Sequence, residues 1–424
     1  MTVTNALQIE TLAPADTAAV AETVRQAVEQ GRAVYPIGSG TQATCGATPT
    51  KPGVGISTAN LNHIIDYPSD DMTITVEAGL TIAALNECLA TQKQRLPVNV
   101  ACADRATVGG IVAVNAFGPR RYAYGTLRDY VLGFTAIDGN GMIFSGGGRV
   151  VKNAAGYNMP RLITGSFGTL GVLTQVTLMV RPLPETSAML ACEVADFEAA
   201  ERLLAALIHS NAKPAAIEFL TGPQQKAEGE SDLFGPMTEG MAGRLCVGLE
   251  GPEAEVNWMV DQLKQEWTAA GVTPLTLLFN PHTEQPWRQL AEWSAGAEFL
   301  AEINVLPSAV MATIAELAKR IPQATFQAHA GNGVILVGMK TTGQEASNGK
   351  ATFSERELLS IAQQMRDIAV TAGGSLVIRK RPENTAWTAA DVWGPAGSAV
   401  TVMQAIKDRF DPKNLLNSGR FIFG

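Results

Sequence analysis

Apolar residues at Ala19, Val20, Val24, Ala27 and Val28 recur at helical spacing in DTAAVAETVRQAVEQG, which predicts an amphipathic helix. Asp16 stands where an N-cap belongs, and Gly31 falls just past the end. The strand-like run AVYPIG follows, and a second one, MTITVEAG, leads into a helical pattern in TIAALNECLATQ. From Gly109 to Val180 the chain breaks into short apolar runs (YVLGFTAI, GMIFSGG, GVLTQVTLMV) among dense glycines, an α+β texture rich in tight loops. In RPLPETS (Arg181 to Ser187) two prolines can continue neither a helix nor a central strand, so a domain boundary is expected there. Beyond it, SAMLACEVADFEAAERLLAALIHSNAKPAAIEFL and GRLCVGLEGPEAEVNWMVDQLKQEWTAAGVTPLTLL each read strand, amphipathic helix, strand. This predicts an α/β sandwich with its helices on one face of a sheet. QQKAEGESDLFGPMTEGMAG and TTGQEASNGKATFSE read as polar surface loops, and the apolar tail FDPKNLLNSGRFIFG as a packed segment. The expected division is 1–184, 185–408 and 409–424.

Composition narrows the function classes. With 424 residues, 46% hydrophobic, 17% charged and a net charge of −8, the chain reads as a mildly acidic globular protein with room for two cores. It lacks the basic surplus expected of a nucleic-acid binder. Runs such as GGIVAVNAFG and GVILVGM fall far short of the ~20 apolar residues of a bilayer span. The opening MTVTNALQIETLAPAD has no basic segment followed by an apolar one, so no secretory signal is expected. Cys45, Cys88, Cys102, Cys192 and Cys246 are odd in number and never in C-x-x-C spacing. That pattern argues against a disulfide framework, a zinc knuckle or an iron–sulfur site, and points to a reducing, cytoplasmic compartment.

VYPIGSGTQATCG satisfies the spacing G-x-G-x-x-A at Gly38, Gly40 and Ala43. A Rossmann loop must open a helix and be followed by an acidic residue ~20 positions on. Here Pro49, Pro52 and Gly53 occupy the helix region and no acid occurs between Gly40 and Asp66, so the Rossmann reading fails. A glycine-rich loop with little side-chain bulk still suits an anion, because its N–H groups can turn toward phosphate oxygens.

Further motifs follow in order: T-x-G-G with N-x-x-G, Y-G with R-D-x-x-L-G, K-N-x-x-G-Y, then G-S-x-G-x-L-G-V. Together they resemble the PCMH-type FAD-binding domain of the vanillyl-alcohol oxidase superfamily, over residues 30–185. Within it, GPRR, VVKNAAGYN and DVWGP resemble the E-subunit family of bacterial glycolate oxidases. The resemblance implies a two-subdomain FAD-binding domain, an α/β cap domain, and a C-terminal segment packing back on the FAD domain. It implies that Ile37, Gly38, Ser39, Gly40, Thr41 and Gln42, with Thr107, Val108, Gly109 and Gly110, hold the FAD diphosphate through backbone amides. Asn115 and Gly118 would line the cleft, Tyr124 and Gly125 would lie beside it, and Gly171 and Val172 would approach the adenine end. No histidine stands in the first loop, and Arg105 stands where a linking cysteine is expected, with Cys102 read as a buried small residue. Non-covalent FAD is therefore expected.

Oxidising a 2-hydroxy acid needs a cation for the carboxylate and a base or metal for the hydroxyl proton. Arg120, Arg121, Arg379 and Arg420 are candidate clamps, and His329 is the candidate base. Catalytic relatives carry H-x-G-D-G-N-L-H and E-H-G motifs that supply metal ligands. In HAGNGVIL, Leu336 takes the second histidine position and Asn332 the acid, while Arg379 and Lys380 in GGSLVIRKR stand where Glu and His would be. No metal site is expected. Trp393 of DVWGP is expected in core packing. The implied role is an FAD subunit beside a D-type flavoprotein and an iron–sulfur subunit, peripheral at the inner membrane through those partners. The alternatives are an autonomous D-2-hydroxyacid dehydrogenase, with His329, Arg379 and Arg420 as its active residues, and a scaffold that has lost FAD.

Overall fold

A computed structural model describes residues 9–148, 156–223, 237–272, 276–341, 353–383 and 385–423. The chain forms two compact units: residues 1–117, 126–183 and 383–424 make the first, and residues 118–125 and 184–382 the second. The boundary thus falls between Leu183 and Pro184, beside the expected one. Two features differ from the expected division. The C-terminal return begins at Glu383 rather than 409, and Gly118–Gly125 leaves the first unit to join the second.

In the first unit, β1 (Glu10–Leu12), β2 (Ala33–Ile37) and β3 (Gly53–Ser57) form a parallel sheet in the order β1-β3-β2. Helix α1 (Thr17–Glu29) starts where Asp16 accepts a hydrogen bond from the Ala19 N–H at 2.8 Å. It buries Val20, Ala21, Val24, Ala27 and Val28, so Ala21 rather than Ala19 faces the core. Strands β4 (Ile64–Asp66), β5 (Thr73–Glu77), β6 (Val131–Ile137), β7 (Ile143–Gly147) and β8 (Val172–Met179) form an antiparallel sheet in the order β4-β5-β8-β6-β7. Helix α2 (Ile82–Ala90) and helix α3 (Val108–Val114) are capped by the hydroxyls of Thr81 and Thr107. One core joins α1 to both sheets through Val34, Val54, Ile56, Ile137 and Val172, and takes in Leu415 and Leu416 of the tail.

The second unit opens with the short helix α4 (Arg121–Tyr124). Its strands are β9 (Thr186–Val194), β10 (Ala216–Thr221), β11 (Gly243–Gly251), β12 (Thr276–Phe279), β13 (Phe299–Asn304), β14 (Thr325–His329), β15 (Val334–Met339) and β16 (Ser375–Lys380). They form one antiparallel sheet in the order β12-β9-β11-β10-β14-β15-β13-β16. Side chains alternate between its faces. One face carries Leu245, Val247, Phe219, Phe326 and Val337, and helix α5 (Phe197–His209) packs on it, with Phe197 and Phe219 ring centroids 6.1 Å apart. The opposite face carries Gly248, and a Cβ there would meet Trp287 at 2.3 Å. Trp287 belongs to the helix Glu284–Glu292, so helices are not confined to one face as expected.

The tail is latched into the first unit. Leu416 bridges Val34 in parallel, and the Asn417 N–H donates to the Val34 carbonyl at 2.7 Å. Buried Lys407 donates to the carboxylate of Asp411 and to the carbonyls of Thr169 and Leu416 at 2.9 and 3.0 Å.

Candidate functional site

The first glycine loop leaves β2 and turns at Gly40, whose φ of +84° is a left-handed conformation that glycine adopts without strain. Its N–H groups are unusually available. Among the described residues, no amide from Gly38 to Gln42 donates a hydrogen bond, and the next one, Ala43, closes a turn onto the Gly40 carbonyl at 3.0 Å. A Cβ at Gly38 would lie 2.3 Å from Thr107 Oγ1, so glycine there lets the two expected phosphate segments touch. Such a run of open donors is what an anion needs.

The second segment behaves differently. The N–H groups of Val108, Gly109 and Gly110 donate to Leu80 O, Ala78 O and Thr107 Oγ1 at 2.9, 2.7 and 3.3 Å. This corrects the expectation that their amides hold the diphosphate. They are committed to the junction between α2 and α3, and the Thr107 hydroxyl beside Gly38 is the group this segment offers to the loop.

Asn115 ends α3 in a left-handed conformation at φ 50°, its side-chain oxygen accepting from the Arg128 N–H at 3.3 Å. Gly171 lies close against Ile137 and Ala136, and the Val172 side chain is wholly buried in the core, so only its main chain can face a ligand. Gly118, Tyr124 and Gly125 fall in the second unit, where Tyr124 packs on the cluster of Met189, Ala215, Ala216, Trp287 and Leu290. Lys152 and Asn153 of the K-N-x-x-G-Y motif lie outside the described residues. Most of both polar loop segments does too. Cys102 is partly exposed at φ 56°, with Arg105 Nη2 3.4 Å from its sulfur, rather than buried as expected. Trp393 packs edge-on against Phe167 and Phe421 and donates to the Arg420 carbonyl at 3.2 Å.

The candidate catalytic residues belong to different units. Arg420 lies in the first unit, where its guanidinium donates to the carbonyls of Gln42, Ala43 and Cys45. Burial lowers its pKa, with Cys45 and Tyr35 opposing the shift. His329 and Arg379 lie in the second unit, on the Gly248 face of the sheet. Register places Glu218 opposite His329, and sets Leu336 between Gln327 and Glu302. His329 Nδ1 lies 2.7 Å from Glu218 Oε1, with 2% and 1% of the two side chains exposed. Gln327 donates to the other Glu218 oxygen at 2.7 Å and to the Leu290 carbonyl at 3.0 Å.

Arg379 Nε lies 3.5 Å from Glu302, whose other oxygen accepts from Asn304 at 3.0 Å. Arg120 grips Glu250 at 2.6 and 2.8 Å and stacks 4.1 Å over the Trp287 ring, which fixes α4 to the sheet. Next to it, burial lowers the Arg121 pKa, the carboxylates of Glu302 and Glu218 oppose the shift, and Arg379 adds to it. Glu193 and Arg244 pair at 2.8 Å on the same face. Four carboxylates on this face, Glu193, Glu218, Glu250 and Glu302, therefore each have a cationic or imidazole partner. Glu218 and Glu302 were not anticipated. Their signal was a single acid inside each of the apolar strands AIEFL and FLAEIN, where an unpaired charge is costly. Among the described residues, no three or more His, Cys, Asp or Glu side chains are grouped to hold a metal ion, and no helix is long and apolar enough to cross a membrane.

A donor-rich glycine loop of this kind defines a site for an anionic ligand in the first unit. Residues 10–147 match the family described as FAD binding domain. Residues 183–378 and 385–421, more than half of the chain, match FAD linked oxidases, C-terminal domain. The chain belongs to the FAD-linked oxidases, oxidoreductases whose cofactor is FAD.

It is 31% identical over 212 residues to glycolate oxidase subunit GlcD of Bacillus subtilis, covering 50% of this chain and 45% of that protein. It is 36% identical over 182 residues to glycolate oxidase subunit GlcE of Escherichia coli K12, covering 43% and 51%. The matches thus span about half the length of these glycolate oxidase subunits. D-2-hydroxyglutarate dehydrogenase of Xanthomonas citri is 26% identical over 427 residues, covering 96% of this chain and 88% of that one. A solved structure of alkyldihydroxyacetonephosphate synthase shares the fold, with a TM-score of 0.71 at 17% identity over 97% of this chain and 77% of that one.

Proposed function

We propose that this chain is the FAD-binding, E-type subunit of a glycolate oxidase/dehydrogenase complex. A D-type flavoprotein partner oxidises glycolate to glyoxylate, and an iron–sulfur partner takes the electrons onward. FAD supplies the electron-accepting centre of this subunit. The first loop suits its diphosphate on two observations: consecutive amides without a protein acceptor, and at Gly38 a space that a Cβ would fill. Ile37, Gly38, Ser39, Gly40, Thr41 and Gln42 would hold it, with the Thr107 hydroxyl beside them. Thr41 and Gln42 offer no histidine for a covalent link, so the cofactor is held non-covalently, and acid precipitation should release all of it into the supernatant.

The observation that supports the division of labour is the pair of non-ligating residues at the positions of the metal-binding motifs. Leu336 and Arg379 stand at donor positions of the metal-binding motifs, and the guanidinium already faces Glu302. With a leucine and an arginine at those positions the face lacks the metal ligands that would activate a hydroxyl, so this reading assigns substrate oxidation to the partner. The second reading, an autonomous 2-hydroxyacid dehydrogenase, draws on the buried His329 and Glu218 pair as base and Arg121 as clamp. The proposed complex would sit in the cytoplasm, reaching the inner membrane through its partners.

The test is co-expression with a D-type flavoprotein and an iron–sulfur subunit encoded beside this chain. We expect one complex whose glycolate-dependent dye reduction disappears when any component is omitted. Full activity of a complex lacking this chain would refute the proposal.

A further inference from the structure

We propose that Arg420 is a positioning residue for the cofactor, which holds the downstream limb of the glycine loop in its binding shape before FAD arrives. This rests on the reading that the first loop takes the FAD diphosphate. Arg420 Nη2 donates to the carbonyls of Gln42 at 3.3 Å and Ala43 at 2.9 Å, and to that of Cys45. Its own carbonyl accepts from the Ala47 N–H at 3.0 Å and the Trp393 indole at 3.2 Å. One residue of the C-terminal tail therefore ties residues 42–47 from both its side chain and its main chain. The upstream limb is anchored independently by β2. Between the two anchors lie Gly38 to Gln42, whose amides donate to nothing in the described protein.

Electrostatics gives the arrangement a purpose. Carbonyl oxygens facing a phosphate would repel it, and the guanidinium gathers three of them to its own side. In a trans peptide the carbonyl and the next N–H point opposite ways, so the amides of Ala43, Thr44 and Gly46 are turned away from Arg420. A loop already ordered has less conformational freedom to lose on binding, which raises affinity without adding a contact. This use of Nη2 gives Arg420 a role in shaping the loop, different from the substrate clamp expected from sequence.

The experiment compares wild type, Arg420→Met and Arg420→Lys as apo-proteins, by flavin-fluorescence titration with FAD and by thermal unfolding without it. Loss of the charged hydrogen bonds should weaken FAD binding by ~10-fold or more in Arg420→Met. Arg420→Lys should recover only part of the loss, because the shorter lysine brings its ammonium only part of the way to the carbonyls that Arg420 Nη2 reaches. Free guanidinium at millimolar concentration should restore FAD affinity to Arg420→Met. Unchanged affinity in a folded Arg420→Met protein would overturn the inference while leaving the FAD reading intact; failure of wild type to bind FAD would overturn that reading itself.

Amide exchange on wild type serves if the variants do not fold. Cys45 and Ala47 should be protected before FAD is added, and Gly38 to Gln42 only afterwards. Protection of Cys45 and Ala47 that appears only with FAD contradicts the inference.

Discussion

The glycine loop of the first unit and the polar sheet face of the second solve opposite problems. Along the loop, successive N–H donors have no protein acceptor, while nearby carbonyls are drawn aside by Arg420. Across the sheet face, Glu193, Glu218, Glu250 and Glu302 are each paired with Arg244, His329, Arg120 and Arg379. Unmet donors make a place for a ligand, whereas matched charges hold a fold together. The first region is therefore disposed to bind an anionic cofactor, whereas in the second each acid already faces a cation or an imidazole of the same unit.

The comparison breaks if perturbing one region alters the other's property. The largest effect is expected at Glu218. Glu218→Leu removes the acceptor of buried His329 and Gln327, and should destabilise the second unit by ~2–5 kcal/mol, about 1–3 for each buried polar group left without its partner. Urea unfolding would measure this, and the FAD affinity of the folded fraction should not change. Gly38→Val is next: its Cβ would intrude on Thr107 Oγ1, and FAD binding should weaken at least ~100-fold, about 2.7 kcal/mol. Equilibrium dialysis with FAD checks it, with the second unit's unfolding midpoint unmoved.

Arg379→Met leaves Glu302 with Asn304 and the nearby Arg121, and should cost ~1–2 kcal/mol, because the pair is only partly screened from solvent. It too should leave bound FAD unaltered.

The smallest effect sharpens the structural side through pH. Burial by itself would raise the Glu193 pKa, but hydrogen bonds from Thr238 and Arg244 outweigh it, so the carboxyl stays below its ordinary 4.5. A depressed folded-state pKa gives stability that is fully present above the unfolded value and is lost as pH falls through the folded one. Glu193→Gln should therefore lower the urea midpoint at pH 7, and the gap to wild type should narrow as pH drops below 4.5. A gap that stays constant from pH 7 to pH 3 would show that Glu193 gives no charge-dependent stability.

Local signals in the sequence carried the elements well. The Asp16 cap, the apolar stripe of α1 and the proline pair at 182 and 184 all act within a few residues, where period and turn chemistry decide. The donor-rich first loop was legible for the same reason. What depended on distant partners was not. Nothing near Val108, Gly109 and Gly110 announces that their amides meet Leu80, Ala78 and Thr107. Arg420 looked like a free cation because its acceptors lie far upstream in the chain, at Gln42, Ala43 and Cys45. The passage of Gly118–Gly125 into the second unit is likewise fixed by Arg120 meeting Glu250 and Trp287, contacts that only the folded sheet creates.

The central claim is that this chain holds FAD but does not itself oxidise the acid. It is tested most directly by purifying the chain alone, recording its visible spectrum, and adding glycolate and then D-lactate without oxygen. The account predicts a yellow protein whose flavin band persists with both acids. Rapid bleaching by either one would contradict it and make this chain a dehydrogenase in its own right.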